Sequence, residues 1–203
     1  MTDHYYSQVP VVKNDRRYLK VHFLGKDFNF VTDSGVFSKQ KIDFGTSLLI
    51  ESFNGTKSAK VLDMGCGYGP LGIVISSSMD SGKVILVDIN ERAIELTKGN
   101  IFLNKESISK NVELSAIQSD GFTTIEETEF NYILLNPPIR AGKTIVYKLY
   151  EQAFQYLVKD GEIWIVIRKK QGALSSIDKL KTIYKKIEII NREKGYYILK
   201  GTK

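Results

Sequence analysis

Lys60–Gly72, KVLDMGCGYGPLG, decides how the chain is read. Val61-Leu62 is a short apolar run, the signal of a buried parallel strand. It drops into Asp63, Gly65, Gly67 and Gly69, and an apolar helical segment follows, Leu71–Ser78. Strand, glycine loop and helix in that order form the first βα turn of a doubly wound sheet. Ligands of such folds sit outside the carboxyl ends of the strands. The glycines supply positive φ angles and free space beside the backbone. Their spacing is Gly65-x-Gly67-x-Gly69, with Asp63 two residues ahead of the first. A dinucleotide fingerprint is G-x-G-x-x-G instead. A carboxylate here repels a pyrophosphate and suits an ammonium or sulfonium ligand. This spacing, and the want of an acid–base pair for hydride chemistry, argue against an NAD-linked dehydrogenase.

Upstream of the loop, Tyr18–Val31 alternates apolar and polar residues around Gly25-Lys26, the pattern of a hairpin. Residues 1–18 are polar with scattered tyrosines and read as peripheral. Thr32–Ser47 is punctuated by glycines and ends in Thr46-Ser47, an N-cap pattern ahead of a short helix, Leu48–Phe53. Downstream, strands are expected at Val84–Val87, Val112–Ile117, Tyr132–Leu135 and Gly161–Ile167. Helices are expected at Glu91–Leu103, Val146–Val158 and Ala173–Tyr184, and a terminal hairpin at Lys186–Thr202 turning near Arg192–Gly195. Near-continuous apolar strands alternating with helices predict a mostly parallel sheet covered on both faces. No repeat, low-complexity tract or linker divides the 203 residues, so one domain is expected. Its parts are an N-terminal hairpin and closing segment (1–57) and a binding and catalytic core (58–203).

Chemistry is expected where these strands end. Asp88 lies 23 residues beyond Gly65. An acid at that offset accepts hydrogen bonds from both ribose hydroxyls of a nucleoside. It also stands close enough to Glu91–Leu103 to cap that helix, as does Asn90. Ser119-Asp120-Gly121-Phe122 offers a carboxylate for an adenine amino group and an apolar face for its ring, or a plain turn. Asn136-Pro137-Pro138 closes the fourth strand, as a terminator or as a site. Two prolines lock φ and remove donors, so the Asn136 side chain and the Pro137 carbonyl become fixed acceptors. An exocyclic amine is a poor nucleophile because its lone pair is delocalised. Two acceptors on its two N–H bonds favour a pyramidal nitrogen and free that lone pair. In-line methyl transfer then needs mainly a near-attack distance of about 3–3.5 Å.

The loop resembles motif I of the class I S-adenosylmethionine (SAM) methyltransferases, D/E-x-G-x-G-x-G, whose acid lies near the methionine moiety. N-P-P at the fourth strand is similar to motif IV of amino-group methyltransferases. The set GVFS, IDFGTSLL, DMGCGYGPLGI, VDIN, SDGF and NPPIRAGK resembles the small-domain ribosomal RNA guanine-N2 methyltransferases of the RsmC type, particularly single-domain YbxB-like members. That likeness runs from about Tyr18 to Lys200 and implies a Rossmann-like sheet of seven strands with a C-terminal antiparallel hairpin. It implies SAM as cofactor, held by Phe37, Thr46, Asp63, Gly65, Cys66, Gly67, Asp88, Asp120, Gly121 and Asn136. Asp43 and Gly45 match the same closing segment as Phe37 and Thr46. Asn136, Pro137 and Pro138 match the catalytic positions. Ile139 stands where many amino methyltransferases carry an aromatic ring, so stacking of a flipped base falls to another residue, Phe37 being one candidate. Arg140 and Lys143, in RAGK, are expected on substrate RNA with Ile139. Two-domain members carry a degenerate N-terminal copy, for which this chain has no room.

Composition fits a soluble protein: 42% hydrophobic, 26% charged, with no run of about 18 apolar residues to span a membrane. The N-terminus MTDHYYSQVP lacks a signal-peptide pattern, and the single cysteine suits a reducing cytoplasm. Cys66 reads as a loop filler, since neither His4 nor His22 stands beside it. No metal is expected. From Lys159 onward there are twelve basic and five acidic residues, a net +7 that leaves −1 for residues 1–158. That asymmetry favours a polyanion or marks a solvated lysine-rich face. Three functions follow from the sequence. The first is methyl transfer to guanine N2 in RNA, small-subunit ribosomal RNA above all. The second is a glutamine-N5 protein or adenine-N6 DNA methyltransferase sharing the N-P-P logic. The third is a non-catalytic RNA-binding assembly factor. A monomer or a homodimer is compatible with each.

Overall fold

The computed structural model describes residues 15–38 and 40–203. The N-terminal stretch read as peripheral lies outside the described residues up to residue 14, and His4 with it. In chain order the elements begin with a hairpin, β1 (Arg17–Phe23) and β2 (Lys26–Thr32), and helix α1 (Phe44–Ser52). The core follows as β3 (Ser58–Met64), α2 (Pro70–Ser76), β4 (Ser81–Asp88), α3 (Glu91–Leu103), β5 (Val112–Gln118) and β6 (Phe130–Leu135). It closes with α4 (Lys143–Tyr156), β7 (Leu157–Arg168), α5 (Ala173–Lys181), β8 (Lys186–Glu193) and β9 (Tyr196–Thr202).

Seven strands form one sheet in the order β5-β4-β3-β6-β7-β9-β8. The five strands from β3 to β7 are parallel, and β9 runs antiparallel between β7 and β8. Successive side chains of a strand point to opposite faces. Val61, Val84, Leu86, Leu134, Trp164 and Val166 therefore pack on one face, under α1, α2 and α3. Leu62, Met64, Ile85, Val87, Ile133, Leu135 and Ile165 pack on the other, under α4 and α5. Burial on both faces is why these strands read as continuous apolar runs. From β3 the chain crosses to β4 on one side, and β6 later joins on the other. That reversal opens a crevice at the carboxyl ends of β3 and β6.

The hairpin turns through Leu24-Gly25, both at positive φ (50° and 76°), the geometry of a two-residue turn. It is held to α3 by two asparagines one helical turn apart. Asn100 accepts from the Val31 amide (2.7 Å) and donates to the Val31 carbonyl (2.9 Å). Asn104 does the same for Asn29, at 2.9 and 2.8 Å. Four helical residues rise about 6 Å and two strand residues about 6.6 Å. Residues i and i+4 of a helix thus imitate the neighbouring strand that the edge of β2 lacks.

Some boundaries differ from the sequence reading. Helix α1 starts at Phe44 rather than Leu48, because Asp43, not Thr46-Ser47, is its cap: the Asp43 carboxylate accepts from the Thr46 amide at 3.2 Å. Helix α4 ends at Tyr156 rather than Val158, because Leu157 pairs with Phe130 ahead of a register shift in β7 and Asp160 at φ 59°. Helix α5 stops at Lys181 instead of Tyr184, whose buried hydroxyl donates to the Tyr150 carbonyl at 3.0 Å. Among the described residues no helix is long and apolar enough to cross a membrane.

Candidate functional site

One cavity of about 520 Å³ opens at the carboxyl ends of β3, β4, β5, β6 and β7. Its size is that of a small-ligand pocket, about 300–1,000 Å³. The glycine loop forms its floor. Gly65 and Gly67 hold φ of 75° and 58°, and a Cβ at either would meet nothing within 4 Å. The amides of Gly65 and Cys66 both donate to the Val87 carbonyl (2.7 and 2.9 Å), which ties the loop to β4. The Cys66 thiol is buried beside Thr97 Oγ1 at 3.7 Å, and burial pushes its pKa up.

Asp63 is fully buried on the cavity wall and accepts from the Gly72 amide at 2.8 Å. Burial pushes its carboxyl up to about 7; the Gly72 bond opposes this and the Asp88 charge adds to it. Asp88 accepts from the amides of Gly67 and Asn90, both at 2.9 Å. Burial raises its carboxyl too. Asn90 is the N-cap of α3, so Asp88 is not. Asp120 and Gly121 line the cavity, Asp120 with its carboxylate exposed. Phe122 does not: it is buried against Tyr156, with ring centroids 4.5 Å apart, below the cavity. Ile89 and Leu149 supply the apolar wall that the sequence reading gave to Phe122.

Asn136 closes β6 and faces α1. Its Nδ2 donates to Thr46 Oγ1 at 3.0 Å and to Asp43 Oδ2 at 3.5 Å, which turns Oδ1 away from both. Pro138 has φ −74° and ψ 77°, and the Ile139 amide donates to the Pro137 carbonyl at 2.9 Å. This is an inverse γ-turn. It fixes the direction of the Pro137 carbonyl, uses one of its two lone pairs and leaves the other. Phe37 (40% exposed), Ile139 and Arg140 line the mouth of the cavity. Lys143 does not; it starts α4 with its Nζ 5.3 Å from the Tyr147 ring centre.

Lining residues that escaped the sequence reading include Tyr68, Arg168, Gln171 and Tyr196. Among the described residues the Tyr68 hydroxyl has no hydrogen-bond partner, though it is buried on a residue only 2% exposed. Arg168 ends β7 with its guanidinium 4.6 Å from the Tyr196 ring centre, and Tyr196 starts the antiparallel β9. Further along the C-terminal region several lysines are paired. Lys179, Lys185, Lys186 and Lys200 pair with Glu151, Asp160, Glu188 and Glu162. Arg140, Arg168, Lys169 and Lys170 take part in none of the ion pairs among the described residues. Of these, Arg140 and Arg168 line the cavity.

The donor set fits SAM. An unpartnered Tyr68 O–H suits a carboxylate, the Asp63 carboxylate suits an ammonium or sulfonium, and the glycine floor admits close approach of both. Among the described residues no three His, Cys, Asp or Glu side chains converge as metal ligands. A cationic ligand draws the proton off Asp63. At pH 6.5, SAM binding is expected to release ~0.8 proton, the fraction bound to a group with pKa about 7. Calorimetry in two buffers of different ionisation heat measures this, and Asp63→Asn is expected to abolish it. Without ligand the sign reverses. Folding raises this acid's pKa from 3.8 to about 7, so Asp63 lowers stability as pH rises through that window.

Comparisons with known proteins agree with this geometry. The chain is 43% identical over 205 residues to Uncharacterized protein YbxB of Bacillus subtilis, covering all of both chains. It is 34% identical over 145 residues to ribosomal RNA small subunit methyltransferase C of Hamiltonella defensa, covering 70% of this chain and 41% of that one. It is 26% identical over 184 residues to ribosomal RNA large subunit methyltransferase G of Pseudoalteromonas translucida, covering 88% and 47%. The chain thus spans less than half of these two ribosomal RNA enzymes. Its fold matches the Thermus thermophilus 16S rRNA N2 G1207 methyltransferase (RsmC), solved with AdoMet and guanosine. The TM-score is 0.81 at 22% identity, over 96% of this chain and 52% of that one. The family model of the methyltransferase small domain matches residues 27–200, and with that match the cavity gains its name: the chain is a SAM-dependent methyltransferase of the small-domain family.

Proposed function

We propose that this enzyme methylates the exocyclic N2 amine of a guanine in ribosomal RNA of the small subunit, in the cytoplasm. One observation carries the reading: the Asn136 amide is held through Nδ2, so that Oδ1 remains an acceptor beside the Pro137 carbonyl, at the wall of the cofactor cavity. SAM supplies an electrophilic methyl group. Asn136 Oδ1 and the Pro137 carbonyl accept the two N–H bonds of the target amine and turn its lone pair toward that methyl. No strong base is needed before attack, and one of the two held protons leaves afterward. Asp63, Tyr68 and the Gly65–Gly67 loop hold the methionine end of the cofactor. Asp88 holds its ribose, and Asp120 with Gly121 its adenine edge. Phe37 and Thr46 bring the segment ahead of residue 58 over the cavity.

Arg140 and Arg168 stand at the cavity mouth, where phosphates flanking an extruded nucleotide would pass. Stacking on Tyr196 pre-orients the Arg168 fork for a phosphate. Arg168→Ala is expected to raise the KM for RNA about tenfold and to lower the salt slope by about one. Its SAM affinity is expected to stay as in the wild type.

The acceptor class is tested by incubating the protein with methyl-labelled SAM and, separately, undermodified small subunits, undermodified large subunits, DNA and ribosomal protein. Label in the RNA of small subunits supports the reading. Likeness to a large-subunit methyltransferase makes large-subunit RNA the second reading. Label in protein or DNA moves the site to a glutamine or adenine amine, and SAM binding without product leaves an assembly factor.

A further inference from the structure

We propose that Asp43 is a positioning residue that decides which end of the Asn136 amide faces the substrate. The proposal rests on the reading of Asn136 as acceptor for the target amine. An asparagine side chain has two ends of nearly equal shape, and only one, Oδ1, can accept an N–H. Its hydrogen-bond partners select the rotamer. Thr46 Oγ1, at 3.0 Å, cannot select, because a hydroxyl donates and accepts equally well. Asp43 Oδ2, at 3.5 Å, accepts only. The carboxylate therefore admits the NH₂ end and turns Oδ1 toward the cavity.

Asp43 is itself held from two sides. Its Oδ2 accepts from the Thr46 amide at 3.2 Å, and its Oδ1 accepts from the Tyr196 hydroxyl at 3.4 Å. Tyr196 reaches it because β9 is inserted beside β7, 153 residues along the chain from Asp43. Gly45 leaves the room: a Cβ there would lie 2.8 Å from Tyr196 Cε1 and 2.9 Å from Asp43 Oδ2. The arrangement links Arg168, stacked on Tyr196, through Asp43 to Asn136. As a helix cap alone Asp43 would need only the bond from the Thr46 amide.

Two substitutions separate positioning from capping, since Ser and Asn cap helices about as well as Asp. Asp43→Ser keeps a cap but is too short to reach Asn136 or Tyr196. Asp43→Asn keeps an oxygen at the Oδ2 position, accepting from Thr46 and Asn136, and places its NH₂ against the Tyr196 oxygen. Asp43→Ser is expected to lose kcat by about 10- to 100-fold, the cost of a misplaced catalytic group, with KM for the acceptor, SAM affinity and Tm near wild type. Asp43→Asn is expected to restore most of that kcat. Wild-type kcat in Asp43→Ser overturns the proposal, and so does an equal loss in Asp43→Asn, which would assign the effect to charge. A second readout is independent of the methyl acceptor: exchange of the Asn136 side-chain amide protons, followed by ¹⁵N NMR. It is expected to be slow in the wild type and Asp43→Asn and at least about tenfold faster in Asp43→Ser. Equal exchange in all three overturns the proposal, whichever amine proves to be methylated.

Discussion

Asn136→Ala is expected to lower kcat by about 10²–10³-fold, the cost of removing one pre-oriented polar group from a reacting centre. The loss falls on kcat because the two N–H bonds of the target amine become stronger donors as nitrogen gains positive charge. An acceptor aimed at them therefore stabilises the transition state more than the bound substrate. The Pro137 carbonyl cannot compensate, since one of its lone pairs already serves the Ile139 amide at 2.9 Å. SAM affinity is expected to change far less than kcat, because the glycine loop, Asp63 and Asp88 are untouched. Single-turnover kinetics with calorimetry of SAM binding separate the two effects. A fall in SAM affinity as large as the fall in kcat would assign Asn136 to cofactor binding instead.

Asn100→Ala is expected to destabilise the protein by about 3–5 kcal/mol, through three broken hydrogen bonds in a buried place. The Asn100 amide serves the Val31 amide (2.7 Å), the Val31 carbonyl (2.9 Å) and the Tyr68 carbonyl (2.8 Å). Alanine leaves all three backbone groups without partners. For a chain of this size the Tm is expected to fall by about 10 °C, and the Val31 amide to exchange much faster. SAM binding should weaken as well. Asn100 ties β2 to the residue after Gly67, and the segment after β2 carries Val36 and Phe37 to the cavity. A Tm within about 2 °C of wild type would mean that Asn104 and the packing of Phe28 and Phe30 hold the hairpin without Asn100.

Local patterns were legible in the sequence wherever one signal decided them. The limits of α3, Glu91–Leu103, agree with its apolar spacing and with Asn90 ahead of it. The β1–β2 hairpin agrees with alternation around Gly25. The parallel core followed from apolar runs ending in polar residues, and the site from four such ends. Other features depended on distant partners. Asn100 and Asn104 are polar interruptions in a helix until β2 lies beside them. Asp43 reads as one loop acid among several until Asn136 and Tyr196 flank it. Phe122 offered an apolar face near Asp120, but Tyr156 lies nearer and holds it in the core. The C-terminal charge could not be divided by composition, because pairing of Lys200 with Glu162 and Glu188 needs the order of β7, β9 and β8. Tyr196 and Arg168 reach the cavity only through that same order.

The central claim is that this cavity delivers a methyl group to guanine N2. It is tested most directly by nucleoside mass spectrometry after reaction of the purified protein with methyl-labelled SAM and undermodified small subunits. The account predicts labelled N2-methylguanosine, formed about 10²–10³-fold more slowly when Asn136→Ala replaces the wild type. Label on another nucleoside, or N2-methylguanosine formed by Asn136→Ala at the wild-type rate, would contradict it.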